Sequence, residues 1–164
     1  MVAETLTATR GSTTFPIAQP ILAGVACVAL GTYEIAANVE DGDIFVMCRI
    51  PAGAVVYGGT LIAEDLDTGI ETLDMDVGWA ANGSEAADPD GLGNFGVITG
   101  DVVAGIKPEE SIYLPLGGTL RSLGPRLFTE TTTIQVEVNA AAATGGTGTM
   151  TLIVNYIMDP NFAL

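Results

Sequence analysis

The sequence predicts an all-β chain, an antiparallel β-sandwich or jelly roll with an extended N-terminal arm. Three observations point there. Short runs of β-branched and aromatic residues recur between turn signals, and the longest of them alternate apolar and polar residues. Glycine (21), proline (8) and threonine-rich stretches punctuate the 164 residues throughout. No segment sustains a 3.6-residue apolar period with caps, so no crossover helices are expected and the strands should pair antiparallel.

Residues 1–22 are polar, rich in threonine and broken by Pro16 and Pro20, which cannot donate to a sheet ladder. They are expected to form an arm, with Phe15, Ile17 and Ile21 as apolar anchors for docking on a partner. The sandwich itself is assigned to residues 23–164. Residues 23–38 predict a strand interrupted near Gly31, and Asp41-Gly42 a turn. In 43–50, Ile44, Val46, Cys48 and Ile50 share one face, and Phe45, Met47 and Arg49 the other. Both faces carry bulk, so Phe45 and Met47 are expected either to enter the core or to meet a neighbouring subunit.

Pro51-Ala52-Gly53 turns the chain into a strand over 54–66, where Gly58-Gly59 signals a bulge or a close backbone approach. Residues 70–79 alternate, with Leu73, Met75, Val77 and Trp79 inward and Thr72, Asp74 and Asp76 outward, the pattern of a half-exposed strand. Trp79 ends that stripe as a core or interface aromatic. Residues 80–93 are expected to be a polar loop, and 94–126 a mixture of turns and short apolar pieces. Two strands close the chain, 131–138 and 148–158. In the second, Ile153 and Ile157 lie opposite the Met150, Leu152, Val154, Tyr156 and Met158 stripe, available to a partner. From the length of the connecting loop alone, these two strands should be antiparallel neighbours.

Chemistry is scarce. The chain holds 20 acidic and 5 basic residues and no histidine, a net charge of −15. Without histidine there is no His-based catalytic triad and no His-ligated metal. The acid is concentrated: residues 41–110 carry fourteen acids against Arg49 and Lys107, a net −12. Such a surface repels DNA phosphates, and no basic footprint exists to bind them. The longest apolar run, 21–31, is too short for a membrane helix, which needs roughly 20 residues, and the polar start predicts no cleaved signal. Cys27 and Cys48 sit in apolar runs and are expected to be buried thiols.

Asp88-Pro-Asp90-Gly91 loosely matches the start of a calcium loop, but no glutamate stands where an EF-hand requires one, so Asp88 and Asp90 are expected to be solvated charge. Asp74 and Asp76 have a carboxylate spacing of about 7 Å by strand geometry. Such a pair can hydrolyse glycosides, but the aromatic platform of a sugar cleft is lacking. A carbohydrate-binding module remains an alternative through Trp79 or Tyr57. No enzyme activity and no cofactor are expected.

The strings IPAGAVVYGGTL (50–61), DLDTG (65–69) and LDMDVGW (73–79) occur in an order that resembles the small head-decoration, or cement, proteins of tailed bacteriophages. The arm and the DPDGLG loop lie outside it. The resemblance implies a β-sandwich or jelly-roll subunit, homotrimeric, made in the host cytoplasm and placed on the outer surface of the virion. Its partners would be the major capsid protein and itself, with no nucleic acid, membrane, cofactor or catalysis. Another phage component, such as a head-fibre base, a tail part or a capsid-like subunit, is the structural alternative.

Overall fold

Alternation dictates the architecture, and the last strand shows it without a break. In a computed structural model that describes residues 4–8, 11–13, 25–64, 66–67, 72–96 and 111–159 (only the backbone at 111–113), β10 spans Gly148–Met158. Its even-numbered residues are buried and its odd-numbered ones half-exposed. A strand with one apolar stripe needs a second sheet to cover it. The preceding strands are β1 (Thr5–Thr7), β2 (Cys27–Ile35), β3 (Ile44–Ile50), β4 (Ala54–Glu64), β5 (Asp74–Trp79), β6 (Asp88–Gly93), β7 (Ser111–Pro115), β8 (Arg126–Phe128) and β9 (Thr132–Ala140). One short helix, α1 (Thr119–Leu123), precedes β8.

The first sheet runs β1-β3-β9-β5-β6 and the second β2-β10-β4-β7. β8 pairs with Ala54–Val56 and β7 with Thr60–Glu64, so the two share successive halves of one edge of β4. Every pairing is antiparallel except β1 with β3. Phe45, Val77, Val136 and Ile134 from one sheet and Leu61, Leu152, Val154 and Tyr156 from the other join a single buried core. The predicted all-β sandwich is therefore the observed fold. Among the described residues no helix is long and apolar enough to cross a membrane.

Several local expectations are corrected. β9 and β10 are not neighbours; they lie in different sheets. Residues 141–147 form an arch between the sheets, held by Asp67: its carboxylate accepts hydrogen bonds from Ala143 N and Thr144 N, and Gly146 N donates to Leu66 O. β2 continues through Gly31, where the backbone carbonyl of Met47 approaches too closely for any Cβ. A register shift between Val46 and Cys48 makes Met47 the extra residue of a bulge, so the buried set switches from Phe45 and Met47 to Cys48 and Ile50. The bulge expected at Gly58-Gly59 is present, with the register shifting where Asn155 opposes Gly58 and Tyr156 opposes Val56.

β5 is not half-exposed. Asp76 is buried, and its carboxylate accepts hydrogen bonds from Phe95 N and from the Asn139 side-chain amide. Those partners make its burial tolerable. The expected polar loop supplies β6, which pairs with β5 at the edge of the sheet, where Pro89 is allowed. The start of the expected arm is also engaged: Thr5–Thr7 pairs with β3, and Ala8 is buried. Both cysteines are free. Cys48 is buried, and burial pushes its thiol up to about 12; Cys27 is half-buried.

Candidate functional site

The residues expected to meet a partner separate into three groups. Phe45, Met47 and Trp79 are 0%, 0% and 1% exposed, so they belong to the subunit's own core and cannot also line a contact. Phe45 stacks edge-on against Tyr33 at 5.2 Å, and Trp79 against Phe128 at 5.2 Å. The bulge turns Met47 inward, and β6 closes over Trp79. Burial of Trp79 also removes it as a platform for a sugar. Phe15, Ile17 and Ile21 lie outside the described residues. Ile153 and Ile157 do face outward from β10, half-exposed, as their alternation predicts.

Strand register shows what surrounds them. Ile153 lies between Leu30 of β2 and Thr60 of β4, and Asn155 between Val28 and Gly58. Ile157 opposes Val55, which in turn opposes Leu127 of β8. Val28 and Tyr57 are 55% and 44% exposed, and Leu30 and Leu127 are also exposed. These side chains form an uncharged apolar area over one end of the outer face of the second sheet. The other end is polar: Thr149 donates from its N–H to Glu64 and from its hydroxyl to Glu34, and Thr32 and Thr151 share a hydrogen bond. Val28, Leu30, Val55 and Leu127 were not singled out by the sequence, and Tyr57 was named only as an aromatic for a sugar. The signal was their lateral alignment, which appears only once strand neighbours and register are known.

A second cluster lies on the first sheet around β5 and β6. Asp88 and Asp90 hydrogen-bond to each other, and Asn94 donates to Asp90. Burial, then the bond to Asp90 and its charge, push the Asp88 carboxyl up, with Arg126 pulling the other way. The bonds from Asn94 and Asp88 hold Asp90 low. The calcium reading gains no ligand set from this arrangement, because among the described residues no three or more Asp, Glu, Cys or His side chains gather as metal ligands. Arg126 stands over the Trp79 ring at 4.1 Å and pairs with Glu85 at 3.0 Å.

These shifts predict an unusual acid response. Burial raises the carboxyls of Asp74, Asp76 and Asp88 above the ordinary 3.8, so the fold disfavours their charged forms at neutral pH. Acidification through those raised values relieves the penalty, and stability rises. Asp67 behaves oppositely. Burial alone would raise it, but four backbone N–H donors outweigh burial and hold it below 3.8. Its contribution is present above 3.8 and lost as pH falls through its folded value; Asp90 shares this sign. Calorimetric Tm should therefore climb as pH falls through those raised values and then drop again below 3.8 as Asp67 and Asp90 are protonated. A steady decline of Tm from neutral pH downward would contradict the assignment.

The sequence matches no protein-family model and no curated protein sequence. Solved structures do match. A chain from the "Capsid of Ralstonia phage GP4" superposes with a TM-score of 0.75 at 19% identity, covering 96% of this chain and 99% of that one. A chain from the "Cyanophage Pam1 capsid asymmetric unit" gives 0.62 at 25% identity, covering 90% and 96%. A chain from the "Acidic stable capsid structure of Helicobacter pylori bacteriophage KHP30" gives 0.54 at 12% identity, covering 84% and 90%. The β-sandwich described above is thus shared, nearly end to end, with chains of phage capsids.

Proposed function

We propose that this chain is a structural virion protein that decorates the outer surface of a phage head and stabilises contacts between major capsid proteins. The observation that carries the reading is the near-complete mutual coverage with the Ralstonia phage GP4 capsid chain. The likeness extends over a whole subunit of comparable length, not over one domain of a much larger protein. Three features support the decorating role within that class. The IPAGA, DLDTG and LDMDVGW strings resemble cement proteins. The charge of −15 suits an outward surface that keeps particles apart, and it disfavours a position against packaged DNA. The chemistry of the fold is that of a scaffold: the Asp67, Asp76, Asp88 and Asp90 carboxylates are engaged with backbone donors, amides or one another, and the Cys48 thiol is buried beyond reaction. The partners on this reading are the major capsid protein and further copies of the chain in a trimer.

Co-sedimentation with expanded capsids of the cognate phage tests the proposal. Saturable binding to the outside of the shell, with a raised temperature of capsid disruption, is the expected result. Absence from capsids together with recovery in tails or fibres would replace it with the other structural reading.

A further inference from the structure

We infer that the uncharged end of the outer face of the second sheet is the seat of a second copy of this chain. The inference deepens the virion reading by naming the residues of the contact between copies, and it rests on three properties of that face.

The first is composition. Across β2, β10, β4 and β8 the outward residues are Val28, Leu30, Ile153, Ile157, Val55 and Leu127, adjacent in the register. Tyr57 protrudes beside them from the β4 bulge. The area spans about 15 Å by 15 Å from strand spacing and rise. Asn155, flanked by Val28 and Gly58, is a neutral polar group within the area, and Thr60, Thr32 and Thr151 supply a neutral polar rim.

The second is charge. Each copy carries −15, so two copies placed acid to acid repel. A different protein with a basic surface could be met anywhere on this acidic chain. An identical copy offers few bases, only Lys107 and four arginines. It can approach closely only where both surfaces are uncharged. The Val28–Leu127 area is such a surface: no charged residue is among its outward side chains, and Glu34, Glu64 and Asp159 lie at its margins.

The third is direction. Glu34 and Glu64 stand together at the Thr149 end of the sheet. Copies joined through this face therefore lean together at the Ile153–Ile157 end and splay apart at the acidic end. Added salt screens the residual repulsion and leaves the apolar contact intact, so self-association should tighten with salt. Docking on a basic partner would weaken under the same change.

Analytical ultracentrifugation of the full chain, with circular dichroism as the check on folding, tests this. The variants are Ile153→Glu, Val28→Glu and, as a control, Leu123→Glu, a site 78% exposed on α1 and outside the strands of the sheet. The expected result is an oligomer for the wild type and the control. Its association constant should rise by about tenfold between about 0.1 M and about 1 M salt, as the Debye length shrinks from about 10 Å to about 3 Å. Ile153→Glu and Val28→Glu should be folded monomers at the same concentration. The inference is overturned if those variants stay as oligomeric as the wild type, or if only Leu123→Glu dissociates. A monomeric wild type that still binds expanded capsids would also overturn it while leaving the decoration reading in place. Folded Ile153→Glu oligomers that no longer bind capsids would assign the face to the shell and sink the inference.

Discussion

An Asp67→Ala variant should unfold about 3 kcal/mol more easily than the wild-type chain. Asp67 is 4% exposed, and its carboxylate accepts four backbone N–H groups. One oxygen takes Thr72 N at 2.7 Å, Leu73 N at 3.2 Å and Ala143 N at 3.2 Å; the other takes Thr144 N at 3.0 Å. The two groups of donors are far apart in sequence. Thr72 and Leu73 lead into β5 of the first sheet. Ala143 and Thr144 lie in the arch that carries the chain from β9 to β10. Asp67 also bridges to Gly145. One side chain therefore holds the approach to one sheet against the crossing to the other.

Removal takes this acceptor from all four donors. Thr72, Ala143 and Thr144 are exposed and can turn to water, whereas Leu73 is buried and cannot. The cost is accordingly below the sum of four charged hydrogen bonds, at about 3 kcal/mol, or a Tm lower by about 6–12 °C for a chain of this size. Asp67→Asn keeps one acceptor oxygen but turns an amide N–H₂ toward a backbone donor, and should cost about half as much. Thermal melts of the two variants check the order. Alanine and wild type melting within about 2 °C of each other would show that the arch is held by other means. The alanine variant should also show a weaker loss of stability below about pH 4, because the strongly held carboxylate is gone.

This site explains why the end of the chain was misread. Alternation in 131–138 and 148–158 identified both strands and the apolar stripe of each; β10 agrees with it residue by residue, while in β9 Gln135, expected to face out, is buried with Ile134 and Val136. A connector of this length is compatible with a hairpin and with an arch. The arch that is observed is tied down by a carboxylate about 76 residues earlier in the chain, a contact that periodicity does not report. The same limit explains Phe45, Met47 and Trp79. Their faces were legible as apolar, but whether a second sheet or a neighbour covers a face depends on tertiary placement. In β3 a one-residue bulge merged the two apolar faces into one core. Ile153 and Ile157 were legible because β10 has no bulge between Met150 and Asn155 and only one after it, on the partner strand. The patch around them was not, because its other members come from β2, β4 and β8, aligned only by pairing.

The segment 80–93 is the other instance, and it leads to the second large effect. Asp-Pro-Asp-Gly has poor strand propensity, yet it forms β6 because Trp79 needs a cover. Trp79 N–H donates to Ala86 O at 3.2 Å, Phe128 meets the ring edge-on, and the Arg126 guanidinium lies over it. Gly91 passes so near the indole that a Cβ there would overlap the ring. Trp79→Ala should therefore cost about 3–5 kcal/mol, the range for emptying a fully buried large aromatic site. Gly91→Ala should cost about 1–3 kcal/mol by overpacking the same contact. The two costs share one cause, so they should not add. In the Trp79→Ala background the space vacated by the indole accepts the methyl group, and Gly91→Ala should then cost only what its remaining 2.9 Å approach to the Asp88 carboxyl carbon imposes. Chemical denaturation followed by circular dichroism measures all four corners of this cycle, since removing the chain's one tryptophan removes its fluorescence probe. Additive losses would mean that Gly91 is required for some other reason than the indole. A coupling that cancels most of the glycine's cost would establish that Trp79 dictates the path of β6, and with it the placement of Asp88 near Arg126.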